Sequence, residues 1–344
     1  MEAYYATLQF IWFTAFVVLL TGYAVLDGFD LGVGMLHLFS KKDVERRTMI
    51  NSIGPIWDGN AVWLVTSGGA LFAGFPAVYA TVLSAFYLPV MLLLSGLIFR
   101  AVAIEFRSKQ PMPWWRWFWD IMFSLASLMI SFIFGLLIGN LIRGIPLDAE
   151  GEFIGDFALL LNPYAFLIGG VVISLFLMHG VIYAVMKTEN ELHDRMREWV
   201  NPAIILFIIF YATSTMATLI YMPHMSETIK ERPAFFLVAI VNIFAIANIP
   251  REITLGRDFR AFLSSCVNII CLLALFGIGI YPNVVRAIND PQDLSLTIYN
   301  SSSSMETLQI LLLIACIGLP LVISYTTVVY WIFRGKVKLD STSY

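Results

Sequence analysis

Charge is scarce in this sequence. Only 13% of its 344 residues are Asp, Glu, Lys or Arg and 59% are apolar, where soluble domains carry roughly 25% charged residues. That leaves too little charge to cover one or two water-facing domains. What charge there is sits in short runs between apolar stretches of about the 20 residues that span a ~30 Å hydrocarbon core. Cysteine is sparse as well. Cys266, Cys271 and Cys316 lie in apolar stretches without CxxC spacing, so a disulfide framework or zinc site is not expected, and small buried hydrophobes are. Of the four histidines only His179 falls well inside an apolar stretch. A haem held between two facing intramembrane histidines therefore lacks its ligands, and a packed, hydrogen-bonded ring is expected instead. No Walker loop, HExxH or Gly-rich phosphate motif occurs, and neither a metal site nor a nucleic-acid partner is expected. The first basic residue is Lys41, so the first apolar stretch reads as a retained span, not a secretory signal.

What is present is a succession of nine apolar runs, near residues 8–38, 49–74, 77–105, 118–142, 163–187, 200–222, 233–250, 261–283 and 306–333. The fold class is an all-α polytopic membrane protein forming one integral membrane domain over 1–344. Basic residues follow the odd-numbered runs, as at Lys41, Lys42, Arg46 and Arg47, or Arg334, Lys336 and Lys338. Sixteen fall on that side and four (Arg143, Lys230, Arg232 and Arg286) on the other, which predicts an external N-terminus and a cytoplasmic C-terminus. Trp114, Trp115, Trp117, Trp119, Trp199 and Trp331 lie at the same ends, as an interfacial belt would, although a ligand platform is the alternative for 114–119. Tyr23-Ala24-Val25 is echoed by Tyr183-Ala184-Val185, each followed by a charged loop and a proline, Pro55 or Pro202. Two parallel four-helix units, 1–142 and 163–283, with 306–333 as a ninth helix, would produce such an echo.

Ionisable groups inside spans cost several kcal/mol unless paired or hydrated, so each is a functional candidate. Counting along the helices places Asp27, Asp30, Arg100, Glu105 and Asp120 near the cytoplasmic boundary. A structural ion-pair layer centred on Arg100 is expected there, with a part in proton or quinone traffic as the alternative. Asp58 stands apart. If its span starts at residue 49, it lies roughly 15 Å deep, near the midplane. Its surroundings, Gly54-Pro55-Ile56-Trp57-Asp58-Gly59-Asn60, imply a kinked, locally polar helix. A lone acid there suits a proton relay, and a carboxylate bonded to hold the kink is the other reading. Kinked helices, a midplane acid and repeats would also be found in a secondary transporter.

The strings Gly22-Tyr-Ala-Val-Leu-Asp-Gly-Phe-Asp-Leu-Gly-Val-Gly34, Met49-Ile-Asn-Ser-Ile-Gly-Pro-Ile-Trp-Asp-Gly-Asn60, Trp63-Leu-Val-Thr-Ser-Gly-Gly-Ala-Leu-Phe-Ala73 and Phe99-Arg-Ala-Val-Ala-Ile-Glu-Phe-Arg-Ser-Lys109 closely resemble subunit II of the cytochrome bd quinol oxidases. The resemblance implies a bacterial cytoplasmic membrane protein paired with a haem-bearing subunit I, often with a very small single-span subunit, and surrounded by membrane lipid. It implies a complex that oxidises quinol outside and reduces dioxygen with cytoplasmic protons. Two b haems and one d haem would be ligated by subunit I and none by this chain. A structurally bound quinone is known against subunit II in some members. The aspartate of the family's Trp-Asp-Gly-Asn motif, here Asp58 between Trp57 and Asn60, is implicated in a proton path at the subunit interface. Asp30, Arg100 and Asp120 are similar to charged family positions tied to stability or haem assembly. Ala61 departs from the pattern, since many relatives carry glutamate there.

Overall fold

Hydrocarbon offers no partner to a peptide group, so apolar runs of this length can only satisfy their backbones as helices. The computed structural model describes residues 1–339; the C-terminal residue, expected in the cytoplasm, lies outside the described residues. The chain forms α1 (Glu2–Leu36), α2 (Asp43–Ile53), α3 (Trp57–Gly74), α4 (Pro76–Ala85), α5 (Tyr87–Phe106), α6 (Pro113–Arg143) and the short α7 (Phe157–Leu160). There follow α8 (Pro163–Lys187), α9 (Asn190–Tyr221), the short α10 (Glu227–Glu231), α11 (Phe236–Thr254), α12 (Asp258–Ile280) and α13 (Met305–Ile332). A small antiparallel ribbon, β1 (Asn283–Val285) with β2 (Leu296–Thr297), lies between the last two helices. Among the described residues eight helices, α1, α5, α6, α8, α9, α11, α12 and α13, are long and apolar enough to cross a membrane.

The expected second and third spans are both divided, and proline is the reason. Pro55 has no N–H to give the helical ladder, so α2 ends at Ile53 and α3 begins at Trp57. Pro89, in the first turn of α5, would collide with the carbonyl of Ala85 in a continuous helix; the chain breaks at Phe86, between α4 and α5. Nine crossings are expected from the sequence, and α3, the longer part of the second expected span, is not among the eight. It runs antiparallel to α1, from Asn60, bonded to the Leu26 carbonyl, to Gly74, which lies against Trp12. Those fifteen residues cover about 21 Å of helix.

The bundle is centred on a close crossing of α1 and α8. A Cβ on Gly32 would lie 2.0 Å from the Phe176 carbonyl oxygen and 2.7 Å from Gly180 Cα, so only glycine permits this approach. Around that crossing the contacts repeat. α1 packs on α3 and α6 as α8 packs on α9 and α12; α5 packs on α6 as α11 does on α12; and α6 reaches α8 as α12 reaches α1. The Tyr-Ala-Val echo does not mark this register, because Tyr23 precedes Gly32 whereas Tyr183 follows Gly180. α13 packs chiefly on α1 and α3 and leaves most of its length exposed.

Hydrogen bonds tie the bundle at several depths. His179 on α8 is fully buried, with Nδ1 2.8 Å from Ser265 Oγ of α12 and Nε2 3.0 Å from the Val25 carbonyl oxygen of α1. At the far end Trp12 Nε1 donates to the Leu308 carbonyl at 3.0 Å, and Gln9 Nε2 donates to Ser302 Oγ at 2.7 Å. The two longest loops meet there, Ile145 N donating to the Arg286 carbonyl at 2.9 Å. The glycine crossing gives a direct test. Gly32→Val should destabilise the detergent-solubilised protein by about 3 kcal/mol or prevent its recovery, as overpacking does. Thermal unfolding against the wild type measures this, and an unchanged midpoint would show that α1 and α8 can separate freely.

Candidate functional site

Two polar clusters lie where α1 and α5 end. In the first, Asp27 and Asp30 share a face of α1, three residues apart. Arg100 of α5 donates from Nη1 to both Asp27 oxygens, at 2.7 and 2.8 Å. Asp30 is held differently: Asn60 of α3 donates from Nδ2 to its Oδ2 at 2.8 Å. Tyr330 of α13 donates to Asn60 Oδ1, also at 2.8 Å. The Trp57 ring centre lies 6.0 Å from the Arg100 guanidinium carbon, within cation–π range. Asp27, Asp30, Arg100 and Asn60 are all buried, so the cluster joins four helices out of water. Asp30 Oδ1, Arg100 Nε and the Tyr23 hydroxyl are buried without a hydrogen-bond partner among the described residues.

The second cluster surrounds Asp120 of α6. His37 Nε2 and Arg107 Nε each meet Asp120 Oδ1 at 2.5 Å, and Arg46 Nη1 donates to Oδ2 at 2.8 Å. Arg107 Nη2 also reaches Asp43 at 2.8 Å, and Arg116 reaches the other oxygen of Asp43 at 3.1 Å. Asp120 was expected in a layer around Arg100 and belongs to this separate cluster instead, because His37 and the basic ends of α2 and α5 converge on it. Glu105, assigned to the same layer, is half-buried near the end of α5 and engaged there. Nearby, Arg195 donates to both oxygens of Glu45 on α2, at 2.8 and 2.9 Å. That guanidinium, helped by the Lys41 and Lys42 backbone N–H groups, lowers the Glu45 carboxyl to about 2.

Asp58 is where the sequence reading and the structure part. Counted along one helix from residue 49, the sequence predicts a lone acid near the midplane. Because Pro55 ends that helix, Asp58 instead opens the first turn of α3, close in sequence to Asn60 and so near the level of Asp30. It is exposed on the outer face of the chain, while its neighbours Trp57 and Asn60 turn toward Arg100 and Asp30. His37, Arg46 and Arg107, which carry the second cluster, had not been singled out. Their only mark was position, each near the end of an apolar run beside a basic loop.

An apolar cavity of about 820 Å³ lies between α1, α3 and α12. Phe13, Val17, Trp63 and Ile270 line it, and Glu227, Glu231 and Arg232 stand at one end.

The pairing around Arg100 can be tested by removing one partner and then both. Arg100→Leu strands Asp27 without its cation and should cost about 3–5 kcal/mol, whereas Arg100→Leu combined with Asp27→Leu should recover most of that loss. Thermal unfolding of the purified protein reads both. A double variant no better than the single one would show that the pair is not the unit of stability.

Comparison with known proteins covers the same elements. The sequence family described as cytochrome bd terminal oxidase subunit II matches residues 8–333. Subunit 2 of the cytochrome bd-I ubiquinol oxidase of Escherichia coli (strain K12) is 34% identical, over 98% of this chain and 97% of the relative. Subunit 2 of the cytochrome bd ubiquinol oxidase of Bacillus subtilis (strain 168) is 34% identical, over 97% and 98%. The bd oxidase structure from Geobacillus thermodenitrificans includes a chain of the same fold, with TM-score 0.79 at 17% identity, over 95% of this chain and 98% of that one. This polytopic helical membrane chain belongs to the cytochrome bd terminal oxidase subunit II family.

Proposed function

We propose that this chain is the scaffolding, proton-delivering subunit of a quinol:oxygen oxidoreductase, with its N-terminus outside and its C-terminus in the cytoplasm. The family match over nearly the whole chain carries the reading. The partner is a haem-bearing subunit I, with a small single-span subunit beside it. The two b haems and the d haem belong to that partner, where they supply the chemistry that reduces oxygen with electrons from quinol. Support comes from the histidines here: both ring nitrogens of His179 are taken by Ser265 and Val25, and His37, His193 and His224 each bond to protein. Residues 1–142 and 163–283 are two related four-helix units, which is what the repeated contacts around the α1–α8 crossing favour.

Docking of subunit I is assigned to the outer face of α3 and α13. On α3 that face carries Asp58, Val62, Val65, Thr66 and Phe72, all exposed. A carboxylate facing hydrocarbon is costly, so Asp58 needs either water or a partner over it. Covered by subunit I, it would lie on the seam between the subunits, beside a buried acid, Asp30, whose Oδ1 has no partner among the described residues. Asp58 would take up protons from the cytoplasm and pass them along that seam. Ala61 removes the carboxylate that many relatives have on the next turn, leaving Asp58 as the acid of this segment. The apolar cavity beside Trp63 has the size and lining to hold a quinone as a fixed structural element.

Asp58→Asn should leave haem content and the optical spectrum of the complex intact while slowing quinol-driven oxygen consumption by about 10²-fold, the scale of a lost proton-transfer group. Asp58→Glu should restore much of the rate. Full turnover and a normal membrane potential in the Asn variant would leave Asp58 a structural residue only.

A further inference from the structure

A cavity of about 650 Å³ opens at the corner where α2, the end of α5 and the start of α6 meet. Its charged wall is formed by Arg46, Arg107 and Arg116 with Asp43 and Asp120. Three guanidiniums against two carboxylates leave one positive charge in excess. Both carboxylates are already engaged, Asp120 by Arg46, Arg107 and His37, and Asp43 by Arg107 and Arg116. Arg107 is the inner wall. It is only 1% exposed, and its Nη1 has no hydrogen-bond partner among the described residues. A buried guanidinium N–H left open is expensive unless something accepts from it.

The start of α6 adds to this. Pro113 at its first position has no N–H, no side chain caps the turn, and no acid stands in it, so the positive end of the helix dipole is left uncompensated. Trp114 and Trp117 form the other wall and are 61% and 60% exposed. Exposed tryptophans at a helix end mark the membrane boundary. The cavity thus holds cationic donors at headgroup depth beside an apolar, membrane-facing flank.

We propose that this corner binds the phosphodiester of an anionic membrane phospholipid, with Arg46, Arg107 and Arg116 around the phosphate and the chains lying along Trp114 and Trp117. The single excess positive charge matches a monoanionic phosphodiester better than a free phosphate dianion. The site stands apart from Asp58 and from the outer face of α3, and it does not depend on the oxidase reading. Its effect on the fold is to tie the α2 loop to the start of α6 through the headgroup.

The test uses the assembled, detergent-purified complex supplied with spin-labelled phosphatidylglycerol, or with spin-labelled phosphatidylcholine as the neutral control. The protein should immobilise the anionic lipid in preference to the neutral one. Arg116→Gln should weaken that preference about fivefold, the scale of one arginine near an anionic headgroup. Trp117→Ala should reduce the immobilised fraction without changing charge. An unchanged unfolding midpoint confirms that each variant is folded, and either variant alone is sufficient for the test. Equal retention of both lipids, or a preference unchanged in a folded variant, overturns the proposal. So does displacement of the labelled lipid by millimolar inorganic phosphate, which would make the corner a site for the free anion.

Discussion

Arg100 is the point to which the rest of the bundle is fitted. A guanidinium that is 1% exposed inside a helical membrane domain has to be met by a carboxylate, and Asp27 meets it with both oxygens. Two further constraints follow from that pair. α5 must approach α1 at residue 27, and the apolar faces above must close tightly enough to keep water away. The glycine crossing of α1 with α8 and the His179 bonds to Val25 and Ser265 do this on the far side of α1. Asn60 and Tyr330 do it on the near side, bringing α3 and α13 to the same level. The ion pair is thus less a source of net stability than a register: its desolvation offsets much of its attraction, but any shift of α5 along α1 would expose an unpaired charge.

Most of the architecture was legible in the sequence, because the length and spacing of apolar runs is a direct consequence of hydrocarbon thickness. The ion pair was also within reach, since few partners exist for a cation in so apolar a chain. The division of the charges between two clusters was not. Which basic residue meets Asp120 depends on how the ends of α2 and α5 turn, and His37 and Arg46 lie 83 and 74 residues away from it in sequence. Periodicity along one helix has nothing to say about such pairings.

The depth of Asp58 was misread for a specific physical reason. Rise per residue converts sequence to depth only along an unbroken helix. Pro55 ends one, so the eleven residues of α2 do not add to the length of α3. From the sequence alone, Pro55 reads as a kink within one span. The burial of Met49, Ile50 and Ile53 kept the apolar pattern continuous across the break, which is why hydropathy alone joined the two helices. Asp58 then changes from an expected midplane acid to one that opens α3, near the level of the Asp27–Arg100 pair.

That change alters which carboxylates could carry a proton. If Asp27 took one up, Arg100 would become a buried cation without its counter-ion, at a cost of several kcal/mol. Asp120 is bound by two arginines and a histidine and would strand more charge still. Asp30 differs, because its partner is the neutral amide of Asn60 and its second oxygen is unpartnered among the described residues. Protonating it strands no cation of its own. Asp58 lies apart from both ion pairs, exposed on the outer face. The two acids on which α3 bears, one at its first turn and one across Asn60, therefore stand outside the Asp27–Arg100 pair that holds the helices in register.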